Sequence, residues 1–192
     1  MEFKDVLRAR RSCRAFAPDP LDEAQVLELI HACQWAPSPL NQQPWQFLVI
    51  SDPPVKAQVR ALGEEAARAV AAQGGPGWAA KYRFDFLDQA PLLLAVIYDP
   101  AQGGLGSYFN QPQGALMAVS AGIENLMLAA AEMGLGSLWF TFFDPTVMAQ
   151  ALGVPPDLAL AGIIPLGRPL QESPAPLRRP PVIHRQRFGQ AG

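Results

Sequence analysis

The stretch Ala90-Pro91-Leu92-Leu93-Leu94-Ala95-Val96-Ile97 is an unbroken apolar run near the middle of the 192-residue chain. A run of this kind, without polar alternation, is typical of a strand that is buried on both faces. Phe47–Ile50 and Leu158–Leu166 are predicted as two further strands, and helical patterns separate the three. The sequence therefore predicts an α/β or α+β sandwich around a small central sheet.

Several segments outside these strands carry apolar residues at helical spacing. The predicted helices are one that begins near Phe3 and ends at the Arg10–Arg14 turn, and then Leu21–Cys33, Val55–Ala72, Ala115–Gly136 and Thr146–Leu152. Residues 137–143 are predicted as an aromatic strand or extended segment. The tail from Gln171, rich in Pro and Arg, is expected to be extended and to lie over another subunit.

Composition narrows the functional class. The net charge of −2 argues against a general nucleic-acid binder, which would be strongly basic. Cys13 and Cys33 show no pairing pattern and no CxxC, which indicates a reducing compartment, hence the cytoplasm, and no zinc site. The first residues lack the apolar core of a signal peptide.

The segment Ala115–Gly136 is apolar enough to suggest a membrane span, with Glu124 and Glu132 as its only charges. A carboxylate near the middle of a span is costly in lipid, and no Lys or Arg flanks either end. We therefore interpret the segment as a buried helix and expect no membrane association. In a chain of this size, an apolar helix suggests that a second subunit covers part of its surface.

Lys and Arg are absent from residues 84–167 and gather at the two ends of the chain. The densest cluster is Arg10-Arg11-Ser12-Cys13-Arg14, and the tail adds Arg168, Arg178, Arg179, Arg185 and Arg187. Burial of the middle of the chain explains why residues 84–167 lack Lys and Arg, but it does not explain the density of the Arg10–Arg14 cluster. That cluster is either a solvated basic turn or an anion site. If both ends converge, their donors suit a small anion such as a cofactor phosphate.

The loop Pro37–Trp45 presents Asn and Gln amides between prolines. Amides donate and accept, which suits the edge of a heterocycle, although ordinary loop chemistry explains them as well. Acid–base machinery is scarce: His31 and His184 stand alone, and a glycosidase-type pair of Glu124 and Glu132 is unsupported. The sequence therefore favours a cofactor that carries the chemistry.

A series of short motifs resembles the nitroreductase family of FMN-dependent oxidoreductases over nearly the whole length. They are Arg10–Phe16, Ala36–Trp45, Ala90-Pro91, Asn125–Ala130 with Gly134–Ser137, Gly167–Pro169 and Arg178–Pro180. Each motif is weak alone, but their order and spacing are specific.

The resemblance implies an α+β fold, a three-layer sandwich with a central mixed, mainly antiparallel sheet flanked by helices. It implies an intertwined homodimer with two FMN molecules at the interface, each contacted by both subunits. Residues 1–170 would form the FMN-binding domain, and the tail 171–192 would pack on the partner subunit.

Carried over position by position, the resemblance also implies the residues that bind the cofactor. Arg10, Ser12 and Arg14 match positions that hold the FMN phosphate and ribityl chain. Arg11 lies beside them, and Arg178 matches a tail arginine that closes on the phosphate.

The loop around the isoalloxazine ring is matched by Pro37, Ser38, Asn41 and Gln43. Thr141 matches the position of a backbone N–H donor to flavin N5, and Phe142 stands where many relatives have a smaller residue. The ring's pyrimidine edge has no confident match around residues 81–83. The short segment 103–114 implies an open site.

The family chemistry implied is ping-pong: NAD(P)H reduces FMN, and a small-molecule acceptor such as a nitroaromatic or quinone then takes the electrons. Two alternatives remain open from the sequence. One is a member that acts on the flavin itself or dehydrogenates or dehalogenates a specific metabolite, and the other is a non-catalytic flavin binder.

Overall fold

The computed structural model describes residues 1–171 and 173–189 and has an α+β fold, as predicted. The helices are α1 (Phe3–Ala9), α2 (Glu23–Gln34), α3 (Pro53–Ala72), α4 (Phe86–Gln89), α5 (Gly114–Glu132) and α6 (Pro145–Ala151). The strands are β1 (Trp45–Ile50), β2 (Leu92–Tyr98), β3 (Gly136–Ser137) and β4 (Ala159–Gly167). Short 3-10 turns lie at Pro39–Asn41, Ala79–Lys81, Pro100–Gln102 and Gly104–Phe109.

The four strands form one sheet in the order β1-β2-β4-β3, and each neighbouring pair is antiparallel. A parallel bridge joins Ser12 to Ser137 beside β3. Within the described residues the sheet is therefore mainly antiparallel, with a parallel contact at the Arg10–Arg14 turn.

Strand β2 is the centre of the molecule and is buried on both faces, as its apolar run predicts. Leu93, Ala95 and Ile97 face a cluster that includes side chains of α3, α4 and α6. Their alternates Leu92, Leu94 and Val96 face a second cluster with side chains of α2 and α5. Because alternate residues of a strand point to opposite faces, this one strand organises all three layers.

Helix α5 is long and apolar enough to cross a membrane by length and composition. However, 44% of its apolar 18-residue stretch is buried within the protein. Its inner face packs against α2 and the sheet. Leu116 and Met117 point outward and are 38% and 70% exposed. The helix is thus a core element with an uncovered apolar patch near its N-terminal end.

The structure differs from the sequence-based expectation at β3 and at α4, and α5 ends at Glu132 instead of reaching Gly136, which lies in β3. β3 is only two residues long, because the segment after Ser137 leaves the sheet and pairs with it again only at Phe140, opposite Ile163. α4 was not predicted, since a helix of four residues in an aromatic segment has no helical period to detect.

The tail beyond Gln171 has no helix or strand within its described part, residues 173–189, and its side chains are exposed. Residues 172 and 190–192 of the predicted tail lie outside the described residues. The packing of this tail on a partner subunit stays a prediction.

Candidate functional site

The Arg10–Arg14 turn connects the end of α1 to the edge of the sheet. Arg10 is the C-cap of α1, and the backbone N–H of Cys13 donates to the Ser137 carbonyl at 2.9 Å. Cys13 is buried, whereas Ser12 and Arg14 on either side are exposed. The hydrogen bond and the buried Cys13 side chain hold the turn against β3, and the polar side chains on either side face outward.

The polar side chains of this turn and a segment of the tail line one cavity, which we call the arginine cavity, of about 420 Å³. Its lining comprises Arg10, Arg11, Ser12, Arg14, Ser173, Pro174, Pro176 and Arg178. Residues more than 160 positions apart thus bring their cations together, as the charge distribution led us to expect.

Arg11 carries a donor without an acceptor. Its Nη1 donates to the Arg10 carbonyl at 2.6 Å, but its Nε is buried and has no hydrogen-bond partner among the described residues. A buried donor that is left unpaired is costly, and here it belongs to a residue that lines the arginine cavity.

Arg10 is partly neutralised and Arg14 is not. The Arg10 Nε lies 3.7 Å from a carboxylate oxygen of Glu124 on α5. Among the described residues, no carboxylate lies within ion-pair distance of Arg14, whose Nε donates to the Tyr82 hydroxyl at 3.4 Å. The arginine cavity therefore retains positive charge for an anion.

Thr141 is exposed and lies in the segment that follows β3. The ring of the adjacent Phe142 packs 5.5 Å from the ring of Tyr82, which contacts Arg14. The Thr141 segment is therefore connected to the arginine cavity through Tyr82. Tyr82 was missed at the sequence level, where residues 81–83 gave no match to a function.

The Pro37–Gln43 loop is held by its own polar groups. The Ser38 Oγ accepts from the Gln43 backbone N–H at 3.1 Å, and the Gln42 side chain accepts from the Gly104 N–H at 2.9 Å. Leu40, Asn41 and Gln43 have φ values of 52°, 54° and 49°. Left-handed backbone at non-glycine residues is strained and is concentrated at functional sites.

Asn41 and Gln43 line a second cavity of about 600 Å³, which we call the amide cavity. Its other walls come from the end of α2 and the residues after it, namely His31, Gln34, Trp35 and Ala36. In the sequence His31 stands alone, because its place beside the loop depends on where α2 ends. Trp35 is 86% exposed, which leaves a large aromatic face at this cavity.

The arginine cavity and the amide cavity share no lining residue and lie on opposite sides of α5. Glu124 of α5 contacts Arg10, whereas Gly122 packs against Cys33 and Ala36. Two residues along a helix correspond to a rotation of about 200°. One chain therefore does not bring its two predicted halves of the site together.

The described residues do not assemble the other kinds of catalytic site that the sequence raised. Glu124 and Glu132 each contact a different cation, Arg10 and the N-terminal amine, so they do not form a paired acid–base site. Burial raises the pKa of the Cys33 thiol to about 12 and also raises that of Cys13, which disfavours a thiolate nucleophile. Within residues 1–171 and 173–189, no cluster of His, Cys, Asp or Glu could hold a metal ion.

Comparison with known proteins accords with the fold. The chain is 35% identical to the 5,6-dimethylbenzimidazole synthase of Rhodospirillum rubrum, over 95% of each protein. It is 31% identical to an NADH dehydrogenase of Thermus thermophilus, over 90% of this chain and 89% of that protein. A crystal structure of oxidized iodotyrosine deiodinase bound to FMN and 3-iodo-L-tyrosine superposes with a TM-score of 0.84 at 24% identity, covering 97% of this chain and 100% of that one.

The profile of the Nitroreductase family matches residues 7–168, from the end of α1 to the residue after β4. This range includes the Arg10–Arg14 turn and the Pro37–Gln43 loop, and it leaves out the tail. The chain therefore belongs to the nitroreductase family.

Proposed function

We propose that this protein is an FMN-dependent oxidoreductase that holds the FMN phosphate in the arginine cavity. The observation that carries the proposal is the meeting of Arg10, Arg11, Ser12, Arg14 and Arg178 around one cavity. Guanidinium forks and a hydroxyl match the oxygens of a phosphate dianion. The uncompensated charge of Arg14 is what such an anion would neutralise.

The amide cavity offers the complementary chemistry for a flavin ring. Asn41 and Gln43 supply donors and acceptors for the ring's carbonyl and N–H edges, and Ser38 shapes the loop that presents them. Pro37 stiffens the start of the loop, and the Thr141 backbone is the candidate donor near the redox-active edge. Bound FMN would supply the hydride chemistry, and the protein would supply position and electrostatics.

The separation of the two cavities across α5 leads us to propose a homodimer in which each FMN lies between the arginine cavity of one chain and the amide cavity of the other. The exposed Leu116 and Met117 on α5 give the dimer an apolar surface to bury. Exposed apolar side chains in the tail, Leu177, Val182 and Ile183, fit the same arrangement. Burial of these residues against a second chain would complete both the core and the site.

For the reaction, we propose that NAD(P)H reduces the bound cofactor and that an electron-poor small molecule, such as a nitroaromatic or quinone, is reduced in turn. The NADH dehydrogenase among the relatives supports a nicotinamide donor. The net charge of −2 and the free cysteines support a cytoplasmic enzyme that acts on small molecules rather than nucleic acids.

A second candidate is an enzyme that acts on the flavin itself or on one specific metabolite. The name of the 35% identical relative, 5,6-dimethylbenzimidazole synthase, favours this candidate, since it denotes the making of a defined product. Both candidates use the same cofactor site, so the choice between them depends on the acceptor and the product.

Purified protein tests the proposal. A flavin absorption band, or saturable binding of added FMN, is expected, followed by bleaching with NADH or NADPH without oxygen. A panel of nitroaromatics and quinones then separates the first candidate from the second, because only the first predicts catalytic turnover with broad acceptors. Protein that neither contains nor binds FMN would contradict the proposed function.

A further inference from the structure

Tyr82 lies between Arg14 and an aromatic cluster. Its hydroxyl accepts a hydrogen bond from the Arg14 Nε at 3.4 Å, and the Arg14 guanidinium carbon lies 6.0 Å from the centre of its ring. On its other sides the ring packs against Phe84, at 4.9 Å between centroids, and against Phe142, at 5.5 Å. Tyr82 thus has a packed ring and a hydroxyl that is directed to a cation.

Charged side chains of α3 bind the segment that follows Tyr82. The Arg60 guanidinium contacts Asp85 at 3.0 Å and Asp88 at 2.6 Å. The Lys56 Nζ is buried and donates to the carbonyls of Asp88 and Ala90 at 3.1 and 2.8 Å. Networks of this kind restrict motion more than an isolated surface ion pair does. The backbone just after Tyr82 is therefore well fixed.

Arg14 itself has little else to hold it. Its side chain is exposed, and within the described residues no carboxylate pairs with it. A long, free arginine loses conformational entropy when it binds an anion, and that loss weakens binding. A neighbour that already restrains the guanidinium at the edge of the cavity reduces the loss.

We infer that Tyr82 is a positioning residue that holds the Arg14 guanidinium ready for the anionic group of the bound cofactor. Tyr82 lies outside the arginine cavity, so it acts through Arg14 and not by contact with the ligand. The aromatic contact to Phe142 also connects this restraint to the segment of Thr141. The inference rests on the proposed function, since it takes FMN as the ligand.

The test is a double-mutant cycle with Tyr82→Phe and Arg14→Ala, read as the dissociation constants of FMN and of riboflavin, which lacks the phosphate. Tyr82→Phe keeps the ring and its packing and removes the hydroxyl. We expect it to weaken FMN binding about three- to tenfold, as for the loss of one hydrogen bond, and to leave riboflavin binding unchanged. In the Arg14→Ala background the same substitution should have no further effect, because its target is gone.

Two controls keep the test specific. Tyr98→Phe removes a hydroxyl at the end of β2, away from Arg14, and should leave both affinities unchanged. Tyr82→Trp also removes the phenol but places a larger ring against Phe84 and Phe142, so any additional loss in this variant reports packing and not the hydroxyl. Melting temperatures of the FMN-free variants identify any loss of folding.

Two results would overturn the inference and leave the proposed function intact. One is an unchanged FMN affinity in Tyr82→Phe, and the other is an equal loss of FMN affinity from Tyr82→Phe in the unmodified protein and in the Arg14→Ala variant. Failure of the unmodified protein to bind FMN would contradict the proposed function and the inference with it.

Discussion

The Arg10–Arg14 turn and the Pro37–Gln43 loop are both polar and both line cavities, but they are completed in different ways. The turn is anchored to β3 through Cys13, and its own chain brings Arg178 to the same cavity. The loop has strained, left-handed residues, and Asn41 and Gln43 are exposed at a cavity whose other walls come from the neighbouring end of α2. The difference teaches that the turn is joined by a distant segment of its own chain, whereas the amide cavity is lined by one continuous stretch, residues 31–43.

The turn and the loop also differ in the chemistry of their side chains. The turn contributes full charges and suits a phosphate, whereas the loop contributes neutral amides and suits a ring. FMN and riboflavin differ only at the phosphate end. Measurements with both ligands therefore separate the two regions.

The largest effect is expected from the turn. Arg10→Ala and Arg14→Ala should each weaken FMN binding about tenfold or more, because each removes charge-assisted hydrogen bonds of about 1.5–3 kcal/mol. Riboflavin affinity should change much less. Fluorescence titration with both ligands measures the difference, and Arg187→Ala in the exposed tail is the matched control. Equal losses for the two ligands would break the assignment of the turn to the phosphate.

A substitution behind the turn should disturb the same region without removing a charge. A Cβ on Gly136 would lie 2.7 Å from the Cys13 Sγ, so Gly136→Ala must push the turn away from β3. We expect the protein to lose about 1–3 kcal/mol of stability, as in other overpacked cores. Chemical denaturation gives this value. A Gly136→Ala protein with normal stability would show that the turn is not rigidly anchored.

The loop should give a smaller and different effect. Asn41→Ala and Gln43→Ala each remove neutral hydrogen bonds of about 0.5–1.5 kcal/mol, so FMN affinity should fall about tenfold or less. Unlike the arginine variants, they should weaken riboflavin binding by the same factor. Gln46→Ala, exposed on the neighbouring strand, is the control. A loss for FMN alone would place the phosphate, not the ring, near the loop.

The smallest effect is expected from pH. A hydrogen bond from Arg83 lowers the pKa of Asp85, whose ordinary value is 3.8, and the nearby Arg60 acts in the same direction. The Asp85 carboxylate therefore adds stability above its ordinary pKa, and this stability is lost as the pH falls through the lowered pKa. Melting temperatures measured down to about pH 3 should fall less steeply in Asp85→Asn. An identical pH dependence in both proteins would contradict this role of the carboxylate.

Much of the fold could be predicted because it depends on local apolar pattern. The run at Leu92–Ile97 specifies a strand with two buried faces, and the structure fills both. β3 could not be predicted at its true length, since the point where the segment leaves the sheet is set by its pairing with β4.

The candidate site, like the fold, could be predicted only in part. The high density of arginines indicated the Arg10–Arg14 turn as a candidate site. The lack of Lys and Arg in residues 84–167 left the tail as the other group of cations, and in the structure Arg178 of the tail lines the same cavity as the turn. Tyr82 and His31 gave no signal, because their positions follow from how distant segments pack and not from their neighbours in sequence. The left-handed Leu40 was equally hidden, as the residue type gives no indication of a positive φ.

The central claim, a site shared between two chains, has a direct test in mixed dimers. One chain carries Arg10→Ala and Arg14→Ala, and the other carries Asn41→Ala and Gln43→Ala, with different affinity tags. A dimer of either variant alone has both sites damaged. The mixed dimer pairs one intact turn with one intact loop, so the account predicts that it regains a single FMN site of unmodified affinity. A mixed dimer with no restored site, or a protein that stays monomeric with FMN bound, would contradict the account.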